Sequence, residues 1–302
     1  MKHIFVINPS AGKVDATQSI RSKIEVLGKE IDYDIYQTKG PGDATIFVRK
    51  WCEGHPGEKV RFYACGGDGT LNEVVSGVVG HPEAEITVHA SGSGNDYIKY
   101  YGTADDFQDL GRLVEGRPHR VDVMRVNERY SINVCNFGFD AMVCKTMNDV
   151  RRMPVIGGNN AYTTGIVRQI FSSRRYRCHI VVDGEEFYDG DLLLCTLSNG
   201  QYVGGNYKCG PLSVNDDGLL EVNLFRPMSV LRLATLIGSY TTGEHINRPA
   251  AQRLMKYRRG RVIDIESPVP LYLSVDGELI CTDRYHIENL NQAVTFVSPA
   301  EK

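Results

Sequence analysis

The stretch Gly66-Gly67-Asp68-Gly69-Thr70 combines residue types that suit phosphate chemistry. Its glycines leave a ligand's approach free of side chains. Backbone N–H groups opening a following helix would point at the ligand, which suits an anion and above all a phosphate. Asp68 repels a phosphate unless a divalent cation lies between them, so it calls for Mg²⁺. The plainer alternative is a tight strand-to-helix turn. A second glycine loop, Ala90-Ser91-Gly92-Ser93-Gly94-Asn95-Asp96-Tyr97, offers backbone approach at Gly92 and Gly94 and side-chain hydrogen bonds from Ser93, Asn95 and Asp96. It lacks the third glycine of the dinucleotide fingerprint, which argues against hydride transfer. Asn8-Pro9-Ser10-Ala11-Gly12-Lys13 lacks Walker spacing and reads either as a phosphate contact or as a plain turn. Asp216 and Asp217 could hold a cation or form a solvated turn. Asp276-Gly277-Glu278 reads by itself as a hairpin turn.

The elements around these loops alternate. Apolar runs at Ile4–Ile7, Tyr33–Gln37, Val60–Cys65 and Ile86–His89 read as strands. Helical spacing appears over about 17–29 and 44–52. It recurs over 71–79, where Leu71, Val74, Val75, Val78 and Val79 share a face. Thr70 and Glu73 have the spacing of a capping box, which would start that helix at the glycine loop. Such alternation predicts a parallel sheet with helices on both faces. The loops at Asn8, Thr38, Gly66 and Gly92 would then leave one sheet edge, where ligands bind.

From Val121 the pattern changes to short alternating strands. Val121–Val126 and Tyr130–Val134 look like a hairpin. Further strands are expected at 177–182, 186–188, 192–197, 219–225, 262–266 and 271–275, which together suggest an antiparallel sandwich. Within it, 161–171 and 230–243 read as helices. Basic pieces at 174–177 and 256–261 are solvated faces or contacts for anionic lipid headgroups.

The 302 residues exceed one ordinary core, so two domains are expected. The 42% hydrophobic and 24% charged residues describe an ordinary globular mixture, and a net charge of −3 gives no reason to expect nucleic acid. None of the eight cysteines forms Cys-x-x-Cys or zinc spacing, which suits a reduced, cytoplasmic setting. The first residues are too short in apolar core for a signal peptide, and no run reaches the length of a membrane span. Any membrane contact is expected from the surface.

Taken in order, these motifs resemble the diacylglycerol kinase catalytic-domain family of lipid kinases, in its stand-alone bacterial form. The resemblance runs from Asn8–Lys13 through Gly66–Glu73 and Gly92–Tyr97. It continues with Asn136–Asp140, Asp217–Glu221 and Val275–Glu278. The opening motif alone is shared with NAD kinases and phosphofructokinase-like folds. The family usually has proline and threonine where this chain has Ala90 and Ser93, so the hydroxyl is kept.

The resemblance implies a phosphofructokinase-like α/β domain over 1–120 and a β-sandwich lipid-substrate domain over 121–285, with 286–302 returning to the first. It places ATP in the cleft between them. Asn8, Lys13, Thr38, the loop Gly66, Gly67, Asp68, Gly69, Thr70, Leu71 and Asn72, and then Gly92, Ser93 and Asn95 would contact the nucleotide. Asp68 and Asp122 would serve the catalytic Mg²⁺. Asp217, with backbone oxygens of Val214 and Leu219, matches a structural Mg²⁺ site. Asp276, or else Glu278, matches the proton acceptor. The implied activity is ATP- and Mg²⁺-dependent phosphorylation of a lipid hydroxyl, first of all diacylglycerol to phosphatidic acid. An apolar groove near Asp276, peripheral membrane association and a homodimer are further expectations. The alternatives are an NAD kinase-like enzyme with a soluble substrate and a nucleotide-binding regulator without turnover.

Overall fold

The computed structural model describes residues 1–11, 17–27, 31–92, 94–151 and 175–301. Lys13, Ser93 and the helix expected over 161–171 lie outside the described residues.

Parallel strands β1 (Lys2–Ile7), β2 (Tyr33–Gln37), β3 (Val60–Gly66) and β4 (Ala84–Ala90) lie in the order β4-β3-β1-β2. The β-branched and aromatic residues of β1 and β3 are buried along almost their whole length, as expected of central parallel strands. Helices α1 (Thr17–Val26), α2 (Asp43–Gly54) and α3 (Asp68–Val78) connect them. On α3, Leu71, Val74, Val75 and Val78 face the core, each stabilising by about 1.5–3 kcal/mol.

The capping box does not form. Gly67 is the N-cap of α3 and has no side-chain cap. Glu73 instead reaches α2, where its carboxylate accepts the N–H groups of Gly42 (2.8 Å) and Ala44 (3.1 Å). The neighbouring helix start supplies free donors and positive dipole, so the carboxylate satisfies those rather than its own helix.

The rest of the chain builds an antiparallel, sandwich-like domain. Its strands are β5 (Arg117–Val126), β6 (Arg129–Ser131), β7 (Val134–Gly138), β8 (Tyr176–Val182), β9 (Glu185–Leu192), β10 (Leu194–Ser198), β11 (Leu220–Phe225), β12 (Met255–Gly260), β13 (Val262–Val275) and β14 (Glu278–Ser298). The remaining described α-helices are α4 (Leu110–Val114), α5 (Phe139–Arg151), α6 (Val230–Thr242) and α7 (Pro249–Gln252). β14 pairs antiparallel with β13 and β5, then parallel with β4 at Thr295 and Phe296. This strand joins the two halves in one sheet, and Phe296 is buried in the core of the first half.

Three local readings differ from expectation. The runs 262–266 and 271–275 are one strand with a register shift between Glu266 and Leu271. The second arm of the hairpin pairs with β5 only over Arg129–Ser131, after which the chain leaves for β10 and β13. Asp276 makes that departure possible, because its carboxylate accepts the N–H groups of Ile132, Asn133 and Val134. Helix α5 is the third difference. It starts after Gly138, whose φ is positive (85°) and where a Cβ would stand 2.5 Å from Leu193 O, so only glycine fits.

Candidate active site

The loops after the parallel strands are tied to one another by main-chain bonds. Thr38 N donates to Ile7 O (2.8 Å), Asn8 N to Cys65 O (3.1 Å), and Ser91 N and Gly92 N both to Gly66 O (3.0 Å). The Asn8 side chain donates to Thr70 Oγ1 (3.3 Å). The two glycine loops also need each other's glycines. A Cβ on Gly92 would stand 2.4 Å from Gly67 Cα, and a Cβ on Gly66 would stand 2.2 Å from Thr70 Oγ1. Around Gly69, by contrast, a Cβ would meet nothing within 4 Å. The open side of the turn is therefore at Gly69, beside the first N–H groups of α3, which have no intrahelical partner. Asn95, at a positive φ of 49°, holds the second loop through Gly92 O (2.8 Å).

Asp68 lies in this edge. Its Oδ1 accepts the N–H of Asp96 (2.6 Å) and of Tyr97 (3.4 Å). Burial raises its carboxyl to about 6, with the carboxylates of Asp96 and Asp276 adding to the effect. Asp122 is fully buried elsewhere. It accepts Gly218 N (2.7 Å), Gln292 N (2.7 Å) and the Asn289 amide (3.0 Å), and so pins the 217–218 turn to β14. In the sequence Asp96 reads only as a loop side chain. Its carboxylate pairs with Lys99 (2.5 Å) and accepts Gly205 N (3.0 Å), so it fastens the second loop to the sandwich.

Asp68 Oδ2 fits a magnesium ligand. The oxygen sits where a Cβ on Gly94 would come within 2.7 Å, among acidic neighbours whose repulsion a cation would relieve. No group of three His, Cys, Asp or Glu able to hold a metal occurs among the described residues. The second expected metal position does not fit. Asp217 is paired with the guanidinium of Arg259, and its Oδ1 accepts Leu219 N (3.1 Å). The positive charge beside Asp217, Val214 and Leu219 is therefore supplied by the chain itself.

The hairpin turn between β13 and β14 carries Asp276 and Gly277 at positive φ, 47° and 95°. Asp276 accepts five hydrogen bonds. They come from Ser131 Oγ (2.7 Å), Asn72 Nδ2 (2.9 Å) and the N–H groups of Ile132 (2.9 Å), Asn133 (3.2 Å) and Val134 (2.9 Å). Burial nevertheless raises its pKa above the ordinary carboxylate value. Asn72, expected on the nucleotide, instead gives its amide to Asp276 and to Tyr130 O (2.8 Å). It thereby joins the helix after the glycine loop to this turn. Glu278, two residues on, is exposed.

Beside the turn opens a cavity of about 410 Å³ that Gly277 and Ser274 line. Phe139 and Val143 of α5, Leu193, Phe225, and Leu233 and Ile237 of α6 form much of its apolar wall. Sequence reasoning expected such a groove without naming a residue. The apolar face of 230–243 was its visible signal, because α6 has more apolar surface than the sheet beneath it covers: Leu231 is 78% exposed.

Both halves of the chain match known families. The diacylglycerol kinase catalytic domain matches residues 2–126, and the YegS C-terminal NAD kinase beta sandwich-like domain matches residues 133–297. A protein of Shewanella frigidimarina named probable lipid kinase YegS-like is 28% identical over 239 residues, 78% of this chain and 75% of the relative. A diacylglycerol kinase of Staphylococcus carnosus is 27% identical over 302 residues, 98% and 95% of the two chains. Among solved structures, a diacylglycerol kinase from Bacillus anthracis superposes with a TM-score of 0.69 at 19% identity, covering 98% of this chain and 96% of that one. An NAD kinase from Archaeoglobus fulgidus in complex with ATP gives 0.54 at 13% identity, covering 99% and 94%. These two show the fold alone. The chain belongs to the diacylglycerol kinase catalytic-domain family of lipid kinases, with the YegS-type sandwich as its second half.

Proposed function

We propose that the protein transfers the γ-phosphoryl group of ATP to the hydroxyl of a lipid. The observation that carries this reading is the hydrogen bond from Asn72 to Asp276. Through it, the glycine-loop edge meets the turn at which the apolar cavity opens. Diacylglycerol, named for the Staphylococcus relative, is the acceptor to test first. The apolar lining favours a lipid over a soluble acceptor such as NAD.

In this reading the backbone of Gly66–Thr70 and of Gly92, Gly94 and Asn95 cradles the phosphates, and Asp68 Oδ2 is the carboxylate for Mg²⁺. Bound there, Mg²⁺ would neutralise charge on the β- and γ-phosphate oxygens. The lipid hydroxyl oxygen bonds to the γ-phosphorus as the bond to the bridging β-γ oxygen breaks and ADP leaves. The hydroxyl proton passes to Asp276. A carboxylate has about four lone-pair sites, and here they meet five donors. Asp276 can therefore take the proton only when Asn72 or Ser131 yields its place to the lipid hydroxyl. The raised pKa favours uptake.

No helix among the described residues is long and apolar enough to cross a membrane. The exposed Leu231 and Ile237 of α6, the latter also on the cavity wall, support lipid capture from a membrane surface.

The test is turnover of labelled ATP with Mg²⁺ and diacylglycerol in mixed micelles, followed by a fractionated lipid extract. A labelled lipid is expected. Labelled NAD phosphate with no lipid product would replace this reading by the soluble-substrate one. ATP binding without any product would leave a regulator.

A further inference from the structure

The cavity is apolar, yet three side chains that line it carry buried polar atoms without a hydrogen-bond partner among the described residues. They are Asp140 at Oδ2, Asn136 at Oδ1 and His245 at both ring nitrogens. Asn136 is 4% exposed and His245 1%. Buried polar atoms are nearly always paired, so three orphans around one cavity ask for an explanation. A bound molecule that carries the missing partners supplies it.

Asp140 is the informative member. A neutral imidazole can either donate or accept, so His245 imposes no sign on a ligand, whereas Asn136 Oδ1, an amide oxygen, accepts. An ionised carboxylate only accepts. Asp140 comes from the first turn of α5. Burial raises its carboxyl to about 6, and a hydrogen bond from the Tyr240 hydroxyl partly offsets this. At neutral pH the group is mostly an anion, and no cation pairs with it among the described residues. A lipid entering the cavity must bring a donor to it, an O–H or an N–H. Diacylglycerol has one O–H, which is the group to be phosphorylated, and its esters offer only acceptors. An ester oxygen facing Asp140 would set acceptor against acceptor.

Resting on the lipid-kinase reading, we propose that Asp140 is a specificity-determining residue that selects acceptor lipids with a second hydrogen-bond donor, a hydroxyl or an amine, besides the hydroxyl that is phosphorylated. A monoacylglycerol or a long-chain amino diol meets this demand, and diacylglycerol does not. A site built to bond a substrate donor discriminates strongly against the analogue that lacks it, because its own buried group is then left unpaired.

Two measurements test this. The first is kcat/KM with ATP and Mg²⁺ for monooctanoylglycerol, sphingosine and dioctanoylglycerol in mixed micelles. The wild type should prefer at least one of the first two over dioctanoylglycerol by about 10-fold or more. Asp140→Leu should cut that preference at least about 10-fold, with Asp140→Asn between the two. Preference for monooctanoylglycerol alone identifies a hydroxyl as the donor, and preference for sphingosine alone identifies the amino diol, whose amine and second hydroxyl can both donate. The second is calorimetric binding of monohexanoylglycerol and dihexanoylglycerol, and of sphingosine in micelles, without ATP. If no lipid is phosphorylated but binding keeps the donor preference and Asp140→Asn weakens it, the kinase reading fails and the selectivity stands. Should the wild type phosphorylate dioctanoylglycerol as well as the others, or Asp140→Asn scale all acceptors equally, the inference is overturned while the kinase reading survives. Circular dichroism checks the fold of each variant, and Asp140→Asn carries the test if Asp140→Leu does not fold.

Discussion

Asp140 lines the apolar cavity and Asp276 lies in the turn beside it, and the surroundings of these two carboxylates are opposite. Asp276 accepts five hydrogen bonds from the chain, whereas Asp140 Oδ2 accepts none from the described residues. Burial raises both pKa values. The saturated group fixes geometry: it holds the start of β7 and, through Asn72, the helix that follows the glycine loop. The unsaturated group leaves the lone pairs of its Oδ2 to a ligand. Positioning and selection are thus assigned to different carboxylates.

The largest effect is expected at the saturated group. Asp276→Asn removes the proton acceptor and sets an amide NH₂ among donors, so kcat should fall about 10²–10⁴-fold and Tm should fall as well. Glu278→Gln, at an exposed position two residues on, should change kcat less than about threefold, within the range of surface substitutions. Steady-state assays on folded protein compare the two. Equal losses would move the base to Glu278 and reduce Asp276 to a structural pin.

Asp68 sharpens the contrast, because it has features of both groups: two N–H donors on Oδ1 and a second oxygen turned to the acidic pocket. Asp68→Asn should lower kcat about 10²–10³-fold if the charge serves the phosphoryl transfer. Its stability effect has the opposite sign. The folded-state pKa of about 6 lies above the ordinary value of 3.8, so between those pH values the native state binds more protons than the unfolded chain. Stability contributed by this group is present below pH 3.8 and is lost as pH rises through 6. The variant lacks that loss, so its Tm should exceed the wild type's more at pH 8 than at pH 4. Addition of Mg²⁺ with ATP should raise the wild-type Tm and raise the variant's less. A Tm difference that does not change with pH would show that Asp68 is not strained by burial.

Gly92→Ala tests the edge rather than the cavity. The new methyl would stand 2.4 Å from Gly67 Cα, a main-chain atom that cannot rotate away. A loss of about 1–3 kcal/mol in unfolding free energy is expected, with weaker ATP binding because both loops shift together. Gly69→Ala meets no atom within 4 Å. It should leave stability within about 1 kcal/mol, the helix propensity of alanine offsetting part of any change. Reduced ATP affinity in that variant would come from the ligand side alone.

Much of the edge was legible in the sequence, since parallel strands show as apolar runs and their loops must leave together. The apolar stripe of α3 was equally clear. What sequence could not give was the partner of each polar group. Thr70 and Glu73 have capping-box spacing, but a free helix start 31 residues earlier competes for Glu73 and wins. The family resemblance implies Asp122 and Asp217 as metal ligands. Main-chain N–H groups and an arginine reach them first, through contacts that span 96 and 42 residues. α5 was missed because Phe139 and Val143 show only one helical repeat within the described residues, straight after a glycine that reads as a turn. Asp140 appeared in the family motif, yet its lack of a partner belongs to no local pattern.

Glu73 gives the smallest expected effect and the cleanest separation of structure from chemistry. Its carboxylate caps α2 from a distance by accepting two N–H groups, while its own main-chain oxygen accepts the Thr45 hydroxyl (2.8 Å). Glu73→Ala removes the two carboxylate bonds and leaves the last one. The start of α2 then has only water for those donors, and Gly42, the N-cap, has no side chain to replace them. The loss should be about 1 kcal/mol in unfolding free energy, the usual value of a capping side chain. Glu73→Gln keeps one acceptor oxygen and should recover part of it. Because the cap lies at α2 and not at the glycine loop, kcat and the ATP KM should stay within about twofold, as for a site without a catalytic contact. Chemical denaturation reads the first effect and steady-state kinetics the second. A capping box at Thr70 would instead loosen the start of α3, and the ATP KM would rise with the loss of stability.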